Sequence, residues 1–264
     1  MLTATVMLLG MFAGTMLAEP VGDDYGIALY DQFTALIHVK DTADAGVADR
    51  AFQYGPPNND WLPVAGDWDG SGSSGLALYD PGRGLFLVKD TSDEGVADRT
   101  FEYGPPGNDW LPVAGDWTGD GTFGVALYDQ AEGLFYIKDD SSAGIADRTF
   151  AYGPPGNDWL PVAGDWTGDG IFGIGLYDQS TGLLHVKDTA DAGIADRSFQ
   201  YGPPDNDWLP TAGDWDGSGD FGLALYQPDA GLFHVKDDAT EGVADRAFAY
   251  GPPGNNWLPV AGKW

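Results

Sequence analysis

The sequence has 264 residues and no cysteine, which excludes disulfide bonds and thiolate metal sites. Its hydrophobic content of 43% is enough for a folded core, and its 40 glycines and 18 prolines are typical of many short strands joined by tight turns. The formal net charge is −29. A field of that sign repels phosphate backbones, so we expect no nucleic-acid partner.

The first 18 residues, MLTATVMLLGMFAGTMLA, are apolar and uncharged, and Glu19 and Pro20 follow them. A small residue, Ala18, stands where a signal peptidase would cut, although the segment has no positively charged beginning. The sequence therefore predicts a signal peptide over residues 1–18 and a secreted or cell-surface protein. The alternative is a retained hydrophobic segment that docks on a partner or a membrane. Residues 19–264 are predicted to be a single domain.

That domain is a tandem repeat with a period of 49 residues. The segments 26–68, 75–117, 124–166, 173–215 and 222–264 align without gaps. Of 43 aligned positions, 22 carry the same residue in all five copies. All ten tryptophans occupy two of these positions, which are Trp61, Trp110, Trp159, Trp208, Trp257 and Trp68, Trp117, Trp166, Trp215, Trp264.

Each copy has the pattern of four short strands. In the third copy they are residues 125–128, 134–138, 149–152 and 159–165, separated by turn-forming residues. No stretch shows sustained helical periodicity, and the fourth strand consists mostly of small residues, which suit the crowded centre of a ring of sheets. The sequence therefore predicts an all-β, five-bladed β-propeller with four antiparallel strands per blade.

The ends of the repeat region predict how the ring closes. The first copy starts at Gly26, midway through a unit, and the last copy ends at Trp264 with an innermost strand. We expect the C-terminal strand to complete the N-terminal blade, which leaves no free sheet edge. An open solenoid would instead favour atypical capping repeats.

An aspartate-rich loop follows the innermost strand in four copies. Oxygen-bearing side chains stand at loop positions 1, 3 and 5 with glycine at position 6, a pattern that wraps a calcium ion. The candidate ligands are Asp67, Asp69, Ser71; Asp116, Thr118, Asp120; Asp165, Thr167, Asp169; and Asp214, Asp216, Ser218. The alternative is that aspartate and glycine form tight turns through Asx-type hydrogen bonds alone.

One run of the repeat resembles the FG-GAP and VCBS-like repeats of integrin-type propellers. It extends from Tyr-Gly-Pro-Pro through Leu-Pro-Val-Ala-Gly-Asp-Trp to the glycine-rich loop and Ala-Leu-Tyr-Asp. The resemblance covers residues 22–264. It implies calcium-stabilised blades in secreted or cell-surface proteins, often with adhesive or sugar-binding roles. The family usually has a further aspartate at loop position 9, where this chain has Gly75, Gly124, Gly173 and Gly222. We therefore expect weak calcium binding, and only four sites, because Lys263 replaces the fifth aspartate.

The tryptophans Trp61, Trp110, Trp159, Trp208 and Trp257 form the second candidate site. Each follows a Pro-Pro loop and an Asn-Asp or Asn-Asn pair. An exposed indole beside amide and carboxylate oxygens suits a sugar-binding groove. The order of these residues is also loosely similar to that of five-bladed tachylectin-type lectins. The alternative is that each indole packs between blades.

The remaining repeated side chains favour structural roles. The arginines Arg50, Arg99, Arg148, Arg197 and Arg246 are predicted to tie a loop to the neighbouring blade, and binding of an anionic ligand is the alternative. The histidines His38, His185 and His234 share one repeat position with Leu87 and Tyr136. A position that accepts leucine is a packing position rather than a metal or catalytic one.

These features favour a binding module over an enzyme. Glycoside hydrolysis needs two carboxylates in different environments, and five nearly identical blades provide nearly identical ones, so a five-bladed glycosidase is the least favoured hypothesis. Repeated weak sites gain avidity on a repeated ligand, such as a glycan or a surface protein. The other hypothesis is a self-assembling subunit of an extracellular filament or surface coat.

Overall fold

The computed structural model describes residues 25–264, and the predicted signal peptide lies outside this range. The described chain forms twenty strands in five four-stranded sheets. Blade 1 contains β1 (Gly26–Asp31), β2 (Leu36–Lys40), β3 (Arg50–Gln53) and the last strand, β20 (Leu258–Gly262). Blade 2 contains β4 (Leu62–Gly66), β5 (Gly75–Asp80), β6 (Leu85–Lys89) and β7 (Arg99–Glu102); blade 3 contains β8 (Leu111–Gly115), β9 (Gly124–Asp129), β10 (Leu134–Lys138) and β11 (Arg148–Ala151). Blade 4 contains β12 (Leu160–Gly164), β13 (Gly173–Asp178), β14 (Leu183–Lys187) and β15 (Arg197–Gln200); blade 5 contains β16 (Leu209–Gly213), β17 (Gly222–Gln227), β18 (Leu232–Lys236) and β19 (Arg246–Ala249).

The five sheets are the blades of a closed propeller. Every neighbouring pair within a blade is antiparallel, and β20 pairs with β1 from Gly26↔Gly262 to Tyr30↔Leu258. The innermost strands β4, β8, β12, β16 and β20 contact one another around the central axis. The predicted fold class, the order of the strands and closure by the C-terminal strand are therefore confirmed.

Side-chain size explains which strand is innermost. Pro63 of β4 lies opposite Leu78, and its missing N–H is tolerated because the other edge of this strand faces the channel. A Cβ atom on Gly66 would lie 2.6 Å from the Phe123 ring of the next blade, so glycine is needed for the close approach of the two blades. The small residues of the repeat thus occupy the centre, as predicted.

The strand next to the innermost one forms the core between neighbouring blades. In β1 all six residues from Gly26 to Asp31 are buried, and the equivalent strands are buried in nearly the same way. The largest fully buried side chains include one tyrosine per blade, namely Tyr30, Tyr79, Tyr128, Tyr177 and Tyr226. Strands covered on both faces have near-continuous apolar sequences, which explains the Ala-Leu-Tyr motif of the repeat.

The repeated arginines tie each blade to the next. Arg50 Nε donates to the Ser92 carbonyl at 2.9 Å, and Arg246 Nε donates to the Ala43 carbonyl at 3.4 Å, which joins blade 5 to blade 1. Each arginine also forms an ion pair with an aspartate of its own blade. The prediction that these side chains tie loops to neighbouring blades is confirmed.

A second ring of contacts lies at the aspartate-loop end of the channel. Backbone amides bond across each blade junction, as from Phe123 N to the Asp67 carbonyl at 2.8 Å. Tyr25, Phe221, Phe172 and Phe123 contact one another edge to face, at centroid distances of 4.8 to 4.9 Å. Ser74 takes the fifth place, and its amide donates to the Lys263 carbonyl at 2.6 Å. Its hydroxyl also accepts the Lys263 amide at 3.0 Å.

No helix of residues 25–264 is long and apolar enough to cross a lipid bilayer.

Candidate functional site

The five tryptophans of the second candidate site immediately precede the innermost strands and are half-buried. Four of them stack parallel on an aromatic side chain at centroid distances of 4.4 to 4.6 Å. The pairs are Trp257 with His38, Trp110 with Tyr136, Trp159 with His185 and Trp208 with His234. Trp61 packs in one cluster with Leu87 instead. One face of each indole is therefore used for packing. Burial also lowers the pKa of the histidines His38, His185 and His234.

The asparagine before each tryptophan has an internal role. Asn157 Nδ2 donates to the Tyr128 hydroxyl at 2.7 Å and to the Pro154 carbonyl at 2.6 Å. Its Oδ1 accepts the Trp159 amide at 2.8 Å. The equivalent asparagines make the same bonds in all five blades. The side-chain amides of these asparagines thus hold the buried tyrosine in place. Of the Asn-Asp or Asn-Asn pair before each tryptophan, only the second residue, such as Asp158, is exposed to solvent.

Open clefts lie where the outer strand of one blade faces the next blade, and we call them interblade clefts. The cleft between blades 1 and 2 has a volume of about 510 Å³, and that between blades 4 and 5 about 430 Å³. The first is lined by Trp61, Leu87, Gln53, Glu94 and Val96 among others. The second is lined by the equivalent residues Trp208, His234, Gln200, Glu241 and Val243. The predicted ligand-binding tryptophans Trp61 and Trp208 thus do line clefts, through the part of the indole that packing leaves open.

An exposed aliphatic side chain beside each blade junction was not singled out from the sequence. Val47, Val96, Ile145, Ile194 and Val243 occupy one repeat position, and each is 85–88% exposed. They account for five of the seven large hydrophobic residues that are exposed in residues 25–264. Single exposed aliphatic residues are ordinary, but one that recurs in every blade is a repeated surface feature. The sequence feature that could have pointed to these residues is the recurrence of Gly-Val-Ala or Gly-Ile-Ala in a polar loop.

The aspartate loops are closed by their own backbone. Asp116 Oδ1 accepts the amides of Gly119 at 2.7 Å and Asp120 at 3.2 Å, and Oδ2 accepts Gly121 at 2.7 Å. Asp67 and Asp165 accept the equivalent amides at positions 5 and 6 of their loops. Both oxygens of the first predicted calcium ligand therefore already have donors in these three loops, an arrangement that Asx-type turns account for.

The fourth loop differs at its first aspartate. Asp214 Oδ2 accepts the Gly219 amide at 3.1 Å, whereas Oδ1 is buried and has no hydrogen-bond partner. Burial also raises the pKa of Asp214. Within residues 25–264, no three side chains among His, Cys, Asp and Glu come together as a metal cluster. Among the four loops, that of Asp214, Asp216 and Ser218 is thus the one in which an oxygen of the first aspartate is left without a hydrogen-bond donor, whereas in the other three loops both oxygens accept loop amides.

The central channel is narrow, and most of the side chains that line it are apolar. The aromatic end encloses about 110 Å³, and the opposite mouth, of about 120 Å³, is lined by one Leu-Pro pair from each blade. The mouth residues are Leu62, Pro63, Leu111, Pro112, Leu160, Pro161, Leu209, Pro210, Leu258 and Pro259. These volumes are below those of ordinary ligand pockets, so the interblade clefts are the better candidate site.

The strand topology and the repeated junctions define a five-bladed β-propeller with lateral clefts between its blades. No protein-family model matches the chain, and no curated protein matches it. One solved structure that matches is the crystal structure of Kluyvelomyces marxianus Hsv2, with 14% sequence identity and a TM-score of 0.37. The match covers 86% of this chain and 65% of that chain, less than two thirds of its length. The resemblance to FG-GAP, VCBS-like and tachylectin-type repeats therefore remains a prediction.

Proposed function

We propose that this protein is a non-enzymatic, multivalent binding module of the cell exterior, and that its ligand occupies the interblade clefts. The observation that carries the proposal is the recurrence of a half-buried indole and a highly exposed valine or isoleucine beside the same junction of every blade. Packing against a neighbouring ring holds the indole rigid, which limits the entropy lost on binding. Equivalent weak sites on one rigid ring add avidity toward a repeated ligand.

A carbohydrate is the ligand class we favour. The open part of an indole offers an apolar surface to the C–H face of a sugar ring, and carboxylate and amide groups at the cleft wall bind its hydroxyls. The net charge of −29 disfavours phosphorylated, sulfated and other anionic ligands. We keep export and weak calcium binding, at the fourth loop, as parts of this proposal.

Glycan-array binding of the secreted protein, with tryptophan variants, tests the proposal. Trp208→Phe should weaken binding because a smaller ring replaces the indole, while stacking on His234 is largely kept. Trp215→Phe is the matched control, since Trp215 is only 3% exposed and offers little surface to a ligand. Binding that is absent from the wild type, or that is lost equally in both variants, would overturn the proposal.

A structural subunit is the second candidate, and the ring of exposed aliphatic residues favours it. Five such side chains, each 85–88% exposed, would be covered if blades of neighbouring molecules met. Sedimentation and electron microscopy of the purified protein test this alternative. Ordered polymers that disappear in Ile145→Ser and Ile194→Ser variants would support it, and a monomer at high concentration would exclude it.

A further inference from the structure

The five blade junctions are not chemically equal, although the repeats are nearly identical. Two repeat positions that vary between copies lie on opposite walls of the interblade clefts. One is the last residue of the outer strand, as Gln53 is of β3. The other lies in the polar loop before the outer strand of the following blade, where Glu94 stands between β6 and β7.

Two clefts carry a hydrogen-bonding side chain on both walls. Gln53 and Glu94 line the cleft between blades 1 and 2, together with Trp61. Gln200 and Glu241 line the cleft between blades 4 and 5, together with Trp208. All four polar side chains are exposed and can therefore reach a ligand.

The other three junctions lack this pair. The repeat register places Glu102 opposite Ala143, Ala151 opposite Ala192, and Ala249 opposite Ala45. The alanine side chain offers no hydrogen bond, so two of these junctions have no polar side chain at either position, and the third has one. A ligand that needs polar contacts on both sides of the indole has only two complete sites.

We propose that the clefts at the blade 1–2 and blade 4–5 junctions are the two selective sites, and that each takes a neutral hydroxylated ring such as a hexopyranose. The glutamate accepts hydrogen bonds from sugar hydroxyls, while the glutamine both donates and accepts. A cationic ligand would call for hydrogen-bond acceptors alone, whereas the glutamine of each cleft also donates. An anionic ligand is repelled by the glutamate carboxylate. This inference rests on the proposed function, and it reduces the number of binding sites for such ligands from five to two.

The chain supplies its own test substitutions. Glu94→Ala with Glu241→Ala, and Gln53→Ala with Gln200→Ala, introduce the residue that other blades already carry at these positions, so the fold should be kept. Glu132→Ala with Asp229→Ala is the control, because both side chains are exposed on turns away from these walls and the charge change equals that of the glutamate pair.

The measurement is fluorine NMR of protein labelled with 5-fluorotryptophan, titrated with methyl α-D-mannopyranoside and methyl β-D-galactopyranoside. We call Trp61, Trp110, Trp159, Trp208 and Trp257 the cleft tryptophans. Resonances assigned by Trp→Phe variants should shift for Trp61 and Trp208 and stay in place for the other three cleft tryptophans. The glutamate pair of substitutions should weaken binding about tenfold or more, since each site loses a charged hydrogen-bond acceptor. The control should bind like the wild type.

A gain of binding completes the test. Ala45→Glu with Ala249→Gln should create a third site, seen as a sugar-dependent shift of Trp257. Equal shifts of all five cleft tryptophans, unaffected by the glutamate substitutions, would overturn this inference and leave the proposed function standing. Stronger binding of tetralysine than of either sugar would overturn the assigned ligand class. Absence of any sugar binding by the wild type would overturn both.

Discussion

At the scale of single residues, the asparagine before each cleft tryptophan holds the blade junction together. Asn157 bridges the buried Tyr128 hydroxyl, a proline carbonyl and the Trp159 amide. Tyr128 is fully buried, and its burial raises the pKa of the hydroxyl to about 12. One amide side chain therefore satisfies several polar groups that would otherwise be left without partners.

The first prediction concerns this clamp. Asn157→Ala should lower the free energy of unfolding by about 1–3 kcal/mol, because buried polar groups lose their partner. Chemical denaturation of the two proteins measures the difference. Asp158→Ala is the neighbouring control, and its exposed side chain should change stability by less than about 0.5 kcal/mol. Equal effects of the two substitutions would contradict the role of the clamp.

At the scale of elements, the aspartate loops have one sequence pattern and two hydrogen-bonding states. In the first three loops the leading aspartate accepts loop amides with both oxygens. In the fourth, one oxygen of Asp214 is buried without a partner. The identity of the loop residues does not reveal this difference, because the first and fourth loops have the same sequence, Asp-Trp-Asp-Gly-Ser-Gly, and still differ in it.

The second prediction separates a calcium site from a turn. Millimolar calcium should raise the melting temperature of the wild type, because an ion bound only by the folded state adds stability. Asp214→Asn should remove this effect, whereas Asp116→Ala should lower the melting temperature equally with calcium and with chelator. If neither calcium nor chelator changes the melting temperature of the wild type, formation of the turn is the only role left for these loops.

The sequence was sufficient to predict the blades, because tandem copies repeat every strand and turn in register. It did not reveal the partners of Trp208 or Asn206, since stacking on His234 and bonding to Tyr177 join residues that are distant in the repeat. It also did not reveal that Val96 is exposed, because an aliphatic residue in a loop is equally compatible with burial. Periodicity shows which positions are equivalent, and packing decides what each position contacts.

At the scale of the whole molecule, closure depends on β20. This strand pairs along β1 and contacts β4 and β16, so it belongs to one blade and touches the two neighbouring ones. The Lys263 carbonyl accepts the Ser74 amide, which continues the ring of interblade bonds through the last residues of the chain. Without β20, the buried strand β1 would become an exposed sheet edge.

The third prediction follows from this closure. Deletion of residues 258–264 should leave an unfolded or aggregating chain, since it exposes a long apolar edge. Circular dichroism and light scattering measure the outcome. A circular permutant opened within residues 139–147, with Trp264 joined to Tyr25 by the sequence of residues 69–73, is the control and should fold. A deletion variant that melts like the wild type would show that closure contributes little.

The fourth prediction concerns alkaline pH. Burial raises the pKa of Tyr30, Tyr128 and Tyr177 from 10.0 to about 12. The unfolded chain therefore releases these protons at lower pH than the folded one, so their contribution to stability is present below pH 10 and is lost as the pH rises through about 12. We expect the tyrosinate absorbance and the loss of circular dichroism to appear together in this range. Tyr128→Phe should make stability less steeply dependent on pH, because one titrating group is removed. Tyrosinate formation by these three residues near their ordinary pKa, with the circular dichroism unchanged, would mean that these hydroxyls are accessible in the folded ring, contrary to their burial between the blades.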